Sequence, residues 1–320
     1  MRTNVTKAWL VILAVISLTL ANQSWALEKV KVGSAIKFTP AYYLPIFAAE
    51  EKGFWQKNGL EAEWIPFRNS VAMATAVVAG SLWAGMDTAT GQIQAIARGV
   101  PTILVADLQR TEGVALYVLP NSPIKKPSDL KGKKLGITRL GSTDHAYARF
   151  VARIAGVEGQ VRYIGTGGIR QKIGALRAGA IDAFTIFMFP IMKFKVKGEV
   201  REILKLDDHR PKEWMAHSIF ARRDMVKDHP DNVRKVVNSL LSAARYINQD
   251  PAWAQGRMKK QQRYSDEVAR LVYKLLRFTS DGKISKKAVE NVRDFLVDFE
   301  IVPKDKPLPA DKLFTRQFTG

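Results

Sequence analysis

Short apolar runs alternate with segments of helical periodicity through most of this 320-residue chain, and this alternation constrains the fold more than any other feature. In the first half it predicts strands at residues 30–36, 60–65 and 101–106 and helices at residues 41–52 and 71–79. Several of these helices are followed by glycine, which is typical of a helix end. Strands that alternate with helices favour an α/β fold with parallel sheets.

The same order of elements returns after Pro127. Strands are predicted at residues 135–138, 161–164 and 180–187, and helices at residues 144–155 and 170–178. Two halves that share one strand–loop–helix pattern predict two related lobes. Because ligands of open α/β sheets bind beyond the carboxyl ends of the strands, two such ends facing each other would form a cleft.

The last third of the chain is predicted to be mostly helical. Apolar residues recur at helical spacing in residues 233–244, 268–276 and 288–299, which indicates helices that bury one face. We interpret these stripes as packing surfaces. With 47% hydrophobic and 25% charged residues, the chain has the composition of a globular protein with about two domains.

Residues 1–26 have the pattern of a secretory signal peptide. Arg2 and Lys7 form a positively charged start before an apolar stretch at residues 8–21, and small residues stand at Ser24 and Ala26. The apolar stretch is shorter than the roughly 20 residues of a membrane span. We therefore expect an exported, soluble protein of the periplasm that begins at Leu27 after cleavage.

The charge and the lack of cysteine narrow the function further. The chain carries a formal charge of +20, which becomes +18 without the two basic residues of the leader. These basic residues are dispersed and accompany no nucleic-acid-binding motif, so we expect a surface that attracts anions and no nucleic-acid partner.

The sequence contains no cysteine. Disulfides, thiolate metal sites, cysteine nucleophiles and cysteine-linked lipid anchors are therefore excluded.

Motifs for catalysis are missing from the sequence. The four histidines show no metal-binding spacing and are expected in surface or capping roles: His145, His209, His217 and His229. The glycines of residues 165–168 fail the dinucleotide-binding pattern, because Arg170 stands where its third glycine belongs. The sequence therefore predicts no catalytic residue, no metal and no cofactor.

Side chains near the predicted strand ends are better candidates for binding a ligand. Tyr42 and Tyr43 are placed either to stack on a planar ligand or to pack in the core. Phe38, at the end of the first strand, belongs to the same group. Arg68 and Asn69 precede a helix and could hold a carboxylate, sulfonate or phosphate group.

Further candidates stand at the starts of two other helices, where backbone N–H groups suit an anion. They are Thr88 and Thr90 in the first half and Ser142 and Thr143 in the second. The alternative interpretation is an ordinary N-cap, and the residues alone do not decide between the two.

Aromatic residues complete the set of candidates. Phe187 and Phe189, before Pro190, stand at a strand end that faces the same inferred cleft, and Trp214 is a weaker candidate.

Several segments in order resemble the periplasmic solute-binding proteins of ABC importers, in the branch that serves alkanesulfonates, taurine, nitrate and thiamine-precursor pyrimidines. The segments are residues 40–50, 52–55, 58–60, 127–136, 141–143, 176–183, 220–224 and 229–230. The resemblance implies a type II periplasmic-binding-protein fold, with two α/β lobes joined by two crossing hinge strands near residues 113–119 and 216–222. Lobe one would then be residues 27–115 plus 217–320, and lobe two residues 116–216.

The resemblance also implies a function. A small-molecule ligand would close the lobes, and the closed monomer would dock on an ABC permease in the inner membrane. Relatives commonly carry an acidic residue where Phe189 stands, which argues against a cationic or pyrimidine-type ligand. Phe189 instead suggests an apolar or aromatic group on the ligand. Together with the candidates Tyr42, Tyr43, Arg68, Ser142 and Thr143, this leads us to expect a small organic anion of sulfonate, carboxylate or aromatic type.

Two alternatives remain. One is an enzyme on the same fold, of the pyrimidine-synthesis or lyase type. The pyrimidine synthases that resemble this family use a cysteine-rich motif, however, and this chain has no cysteine. The other is a periplasmic sensor that presents its ligand to a signalling receptor.

Overall fold

The computed structural model describes residues 27–35, 41–67, 70–111, 113–305 and 308–319, so the predicted leader lies outside the described residues. Within them the strands form two five-stranded sheets. Sheet one contains β1 (Glu28–Ser34), β2 (Leu60–Pro66), β3 (Ala84–Thr88), β4 (Thr102–Gln109) and β10 (His217–Arg222). Sheet two contains β5 (Val114–Val118), β6 (Lys134–Ile137), β7 (Arg162–Gly165), β8 (Ala183–Phe187) and β9 (Arg201–Lys205).

The two sheets have the same topology. The strand order is β2-β1-β3-β10-β4 in sheet one and β7-β6-β8-β5-β9 in sheet two. In each sheet one strand, β10 or β5, runs antiparallel between its neighbours, while the paired neighbours β1, β2 and β3, or β6, β7 and β8, run parallel. The prediction of an α/β fold made from two related halves is confirmed.

Helices connect and cover the strands. They are α1 (Leu44–Glu51), α2 (Phe54–Lys57), α3 (Ser70–Val78), α4 (Ala89–Ala97), α5 (Thr143–Ile154), α6 (Ile169–Arg177), α7 (Met188–Val196), α8 (Arg223–Asp228), α9 (Pro230–Gln249), α10 (Pro251–Gln262), α11 (Asp266–Leu275) and α12 (Lys286–Asp298). The apolar stripes predicted in the last third lie on α9, α11 and α12 and are buried, as expected of packing surfaces. In the described part of the chain, no helix combines the length and apolar character needed to cross a bilayer.

The chain passes between the sheets twice, once between Gln109 and Val114 and again between Lys205 and His217. Each passage leaves one sheet at the carboxyl end of a strand, β4 or β9. It enters the other sheet beside the carboxyl ends of that sheet's parallel strands, so the carboxyl edges of the two sheets face each other. The passages thus lie just before β5 and β10, the strands that the resemblance assigned to the hinge. The exact lobe boundaries stay a prediction.

One hydrogen-bonded group links the two passages. The Gly113 N–H donates to Asp207 Oδ2 at 2.9 Å, and Arg210 Nε donates to Asp207 Oδ1 at 2.6 Å. Arg210 Nη2 also donates to the Arg110 carbonyl oxygen at 2.6 Å. A carboxylate that bridges both segments holds them in a defined relation.

A buried ion pair organises the loop after β6. Lys172 is fully buried on α6, and its Nζ lies 2.5 Å from Asp144 Oδ2 and 2.8 Å from the Thr185 carbonyl oxygen. The same carboxylate accepts hydrogen bonds from the Thr138 N–H and the Thr185 hydroxyl. Burial lowers the pKa of Lys172 from its ordinary value, and Asp144 partly opposes that shift. The pair thus joins α5, α6, β8 and the end of β6.

We predict that Lys172→Met lowers the free energy of unfolding by about 3–5 kcal/mol, because it leaves the Asp144 carboxylate without its buried cation. Lys259→Met is the matched control, since Lys259 and Asp266 form an exposed pair, for which a change of about 1 kcal/mol or less is expected. Urea unfolding of both variants measures the difference. Equal losses would show that the buried pair has no special structural role.

Candidate functional site

Polar side chains gather at the carboxyl edge of sheet one. Gln109 ends β4, and His217 begins β10 directly opposite both Gln109 and Thr88. Thr90 lies in the first turn of α4, just after β3, and Tyr43 is the N-cap residue of α1. We call Tyr43, Thr90, Gln109 and His217 the edge cluster. Each of the four is at most 2% exposed.

The edge cluster is unusual because buried polar atoms in it have no hydrogen-bond partner among the described residues. These atoms are Tyr43 Oη, Thr90 Oγ1, both amide atoms of Gln109 and His217 Nδ1. A buried polar atom without a partner costs about 1–3 kcal/mol. Four such side chains at one edge are what a site for a polar ligand requires, since the ligand would supply the missing partners.

Aromatic rings from separate parts of the chain meet at this edge. The Tyr42 ring stacks on His217 with a centroid distance of 4.2 Å. It also contacts the ring of Phe189, at the start of α7, at 4.6 Å. The ring of Phe187, at the end of β8, lies 5.9 Å away. The structure therefore brings Tyr42 and Tyr43 together with Phe187 and Phe189. In this state Tyr42 packs against protein rings, the alternative that the sequence left open.

The charge of a buried carboxyl group, Asp87, acts on Tyr43 of the edge cluster. Asp87 accepts hydrogen bonds from the Ser70 hydroxyl, the Gln92 amide and the Thr88 N–H. Burial raises the pKa of Asp87 to about 6, and these donors oppose the shift. Burial, reinforced by the charge of Asp87, raises the pKa of Tyr43 well above its ordinary value, so this hydroxyl stays a donor.

The threonines of α4 have different roles. Thr88 Oγ1 accepts a hydrogen bond from the Gly91 N–H at 3.0 Å and therefore caps the helix. A Cβ at Gly91 would lie 2.8 Å from Thr88 Oγ1 and 2.9 Å from Ser70 Oγ, so this turn needs glycine. Thr90 has no such local partner among the described residues, and its hydroxyl belongs to the edge cluster.

Ser142 is also a capping residue. Its Oγ accepts a hydrogen bond from the His145 N–H at 3.2 Å and donates one to the Arg139 carbonyl oxygen at 2.7 Å. The structure thus shows the N-cap that the sequence analysis gave as one of two interpretations. Thr143 begins α5 and is half-buried. A role of these two residues in holding an anion stays a prediction.

The structure describes one of the remaining candidates, Trp214, and it lies outside the edge cluster. Phe38, Arg68 and Asn69 lie outside the described residues. Trp214 is buried in the second passage between the sheets, where its ring contacts Phe295 at 5.6 Å.

Gln109 and His217 were missed by the sequence reasoning. The strand that ends at Gln109 was predicted to stop at residue 106, so this side chain was not recognised as a strand-end residue. The expected surface or capping role of His217 is wrong, because the strand pairing places it between β3 and β4, 1% exposed. Burial lowers the pKa of His217 to about 3. The available signal was a polar residue at the end of an apolar run, as Gln109 is for β4 and His217 is for β10.

Two buried carboxyl groups lie at this edge, Asp87 and Asp107. Asp107, on β4, pairs with Arg110 through Oδ2 at 3.1 Å, and burial raises its pKa to about 6. No set of three or more histidine, aspartate or glutamate side chains in the described ranges is arranged to hold a metal ion.

Comparisons with known proteins match this architecture. The family model described as "NMT1/THI5 like" matches residues 40–254. A Brucella abortus protein, provisionally named a binding protein, is 27% identical over 206 residues, which cover 63% of this chain and 62% of the relative. The chain thus spans less than two thirds of that relative's length.

Two further proteins show the range of similar chains. The crystal structure of the periplasmic aliphatic sulphonate binding protein SsuA from Escherichia coli superposes with a TM-score of 0.76. It is 17% identical, over 90% of this chain and 92% of that one, and shares the periplasmic-binding-protein fold. A Schizosaccharomyces pombe enzyme, 4-amino-5-hydroxymethyl-2-methylpyrimidine phosphate synthase, is 27% identical over 95 residues, 30% of this chain and 28% of the enzyme.

We predict that His217 makes folding sensitive to acid. Its pKa is about 3 in the folded protein, against an ordinary 6.5, so the unfolded chain takes up a proton first as the pH falls. His217 therefore contributes stability above pH 6.5 that is lost toward pH 3, with a limiting slope of about 1.4 kcal/mol per pH unit. The raised pKa values of Asp87 and Asp107 change the stability with pH in the opposite direction. Because both residues are kept when His217 is replaced, their contribution cancels in a comparison of the variant with the wild type.

Urea unfolding of the wild type and of His217→Asn from pH 7.5 to 4.5 measures this contribution. The stability advantage of the wild type should shrink steadily below pH 6.5. The exposed His209→Asn variant is the control for loss of a histidine at the surface. A difference for His217→Asn that does not change with pH would contradict the prediction.

We predict that Ser142→Ala lowers the free energy of unfolding by about 1 kcal/mol, because the first turn of α5 loses its N-cap. Thr143→Ala should have a smaller effect, since Thr143 is not the cap. Denaturant titrations of both single variants test this. A larger loss for Thr143→Ala would mean that the cap has been assigned to the wrong residue.

Proposed function

Because this chain belongs to the NMT1/THI5-like family, we propose that it is a solute receptor that captures a small molecule between its two lobes. The molecule would bind at the facing carboxyl edges of the two sheets. After export guided by residues 1–26, the receptor would act in the periplasm as a monomer and pass its solute to an ABC permease in the inner membrane. The sulphonate-binding function named for SsuA supports this proposal.

The observation that carries the proposal is the edge cluster. Its polar atoms without a partner among the described residues lie at the carboxyl edge of sheet one. There the Tyr42 ring, just before α1, meets the rings of Phe187 at the end of β8 and Phe189 in α7. A solute bound there would touch both lobes. Since a ligand shifts a conformational equilibrium only through different contacts in the two states, such a solute favours the closed state. The permease would recognise that state.

We further propose that the solute is a small organic anion with an apolar or aromatic part. The Tyr43 and Thr90 hydroxyls and the Gln109 amide group can donate hydrogen bonds to an acid group. Thr90 lies in the first turn of α4, where the helix dipole also favours negative charge. The rings of Tyr42, Phe187 and Phe189 suit the apolar part. Arg68, Asn69, Ser142 and Thr143 are the further anion-binding residues in this proposal.

Native mass spectrometry of the freshly purified protein should detect a copurified solute, because receptors with slow release retain part of their ligand. Thermal-shift screening against aliphatic and aromatic sulfonates and carboxylates, with amines of the same carbon skeletons, tests the chemical class. An acid should stabilise the protein and its matching amine should not. A bound cation without an acid group would contradict the anion proposal, and chemical conversion of the solute would favour an enzyme.

We predict that Gln109→Leu weakens binding of the identified acid at least about tenfold, because a buried hydrogen-bonding amide is replaced by an apolar side chain. The free protein should lose little stability, since the described residues offer that amide no partner. Gln94→Leu, on the outer side of α4, is the matched control and should bind as the wild type does. Titration calorimetry compares the three proteins, and equal affinities would overturn the placement of the solute.

A further inference from the structure

We propose that a second site binds a neutral aromatic molecule of one or two rings. The site, here called the hinge pocket, is a cavity of about 200 Å³ whose apolar walls are Tyr147, Phe150, Trp214, Phe295 and Phe299. It lies beside the second passage of the chain between the sheets and contains none of the edge cluster. Binding here does not rest on the proposed function of the edge cluster.

The walls come from three separate parts of the chain. Tyr147 and Phe150 lie on α5, Phe295 lies on α12 with Phe299 at its end, and Trp214 lies between β9 and β10. Phe295 is central: its ring centroid lies 5.3 Å from Tyr147, 5.6 Å from Trp214 and 4.9 Å from Phe299. Rings that meet at tilted and edge-on angles around one space provide the geometry in which a further ring packs well.

The charges of the hinge pocket favour a neutral occupant. Arg210 also lines the cavity, but it pairs with Asp207 and lies over the Trp214 ring at 5.0 Å. Arg153 pairs with Glu158 and lies over Phe299 at 4.2 Å. The carboxylates of Asp294 and Asp298 line the same cavity. The two carboxylates would repel an anion and the two arginines would repel a cation. A neutral ring avoids both kinds of electrostatic repulsion.

The size of the cavity sets the class of molecule. Drug-sized ligands occupy pockets of roughly 300–1,000 Å³, so a cavity of about 200 Å³ suits only one or two rings. An occupant would touch α5 on one side and α12 on the other. Next to it, Arg149 Nη1 on α5 donates to the Phe299 carbonyl oxygen at 3.0 Å and pairs with Glu300 at 3.2 Å. The occupant would thus add to a contact that already joins the two lobes.

Indole is the probe for this site, titrated into the full-length purified protein and followed by calorimetry and by saturation-transfer NMR. We expect saturable binding of indole and at least about fivefold weaker binding to Phe150→Ala, which removes one wall. Phe194→Ala, a half-buried phenylalanine of α7 outside the pocket, is the matched control and should bind indole as the wild type does. Gln109→Leu should also leave indole binding unchanged, which separates this site from the edge cluster.

A second variant keeps the test informative if Phe150→Ala fails to fold. Asn291→Trp keeps every wall ring and fills the cavity from α12, so it should also weaken indole binding at least about fivefold. Unchanged binding to both pocket variants, or no saturable binding to the wild type, would overturn the proposal. Tighter binding of benzenesulfonate or phenylethylamine that depends on Phe150 would overturn the assignment of a neutral occupant.

Discussion

The two passages of the chain between the sheets are the constraint on which the rest of this structure depends. The Asp207 carboxylate accepts hydrogen bonds from Gly113 in one passage and from Arg210 in the other. Both passages join carboxyl edges, so the ends of the parallel strands must face each other. Every candidate site of the molecule follows from that relation, because it brings side chains more than a hundred residues apart to one place.

The two facing edges are chemically different. Sheet one presents the edge cluster, whose buried polar atoms have no hydrogen-bond partner among the described residues, whereas several polar groups after β6 of sheet two pair with one another. There Asp144 is paired with Lys172, and Ser142 caps α5. Sheet two contributes the rings of Phe187 and Phe189 instead. In the proposed receptor, sheet one would therefore recognise the polar group of the solute, and sheet two would cover its apolar part.

Much of the fold was predictable because its signals are local. Alternating apolar runs, helical stripes and glycines after helices depend on neighbours within a few residues, and these features located most of the strands and helices of both sheets. The site was predicted less completely. Tyr43 was found because it lies near a predicted strand end and Thr90 because it stands at a helix start, but Gln109 lies beyond the predicted end of β4. His217 was expected at the surface and is buried.

The sequence by itself determined the α/β class and the repeated halves, since backbone hydrogen bonding and local burial set these patterns. It also determined that thiol chemistry is absent. Only the tertiary structure decided that β10 lies between β3 and β4, which makes a histidine distant in sequence a neighbour of Thr88 and Gln109. Long-range packing decides which atoms come within hydrogen-bonding distance of a hydroxyl. Ser142 caps a helix, whereas Thr90 has no hydrogen-bond partner in the described part of the chain.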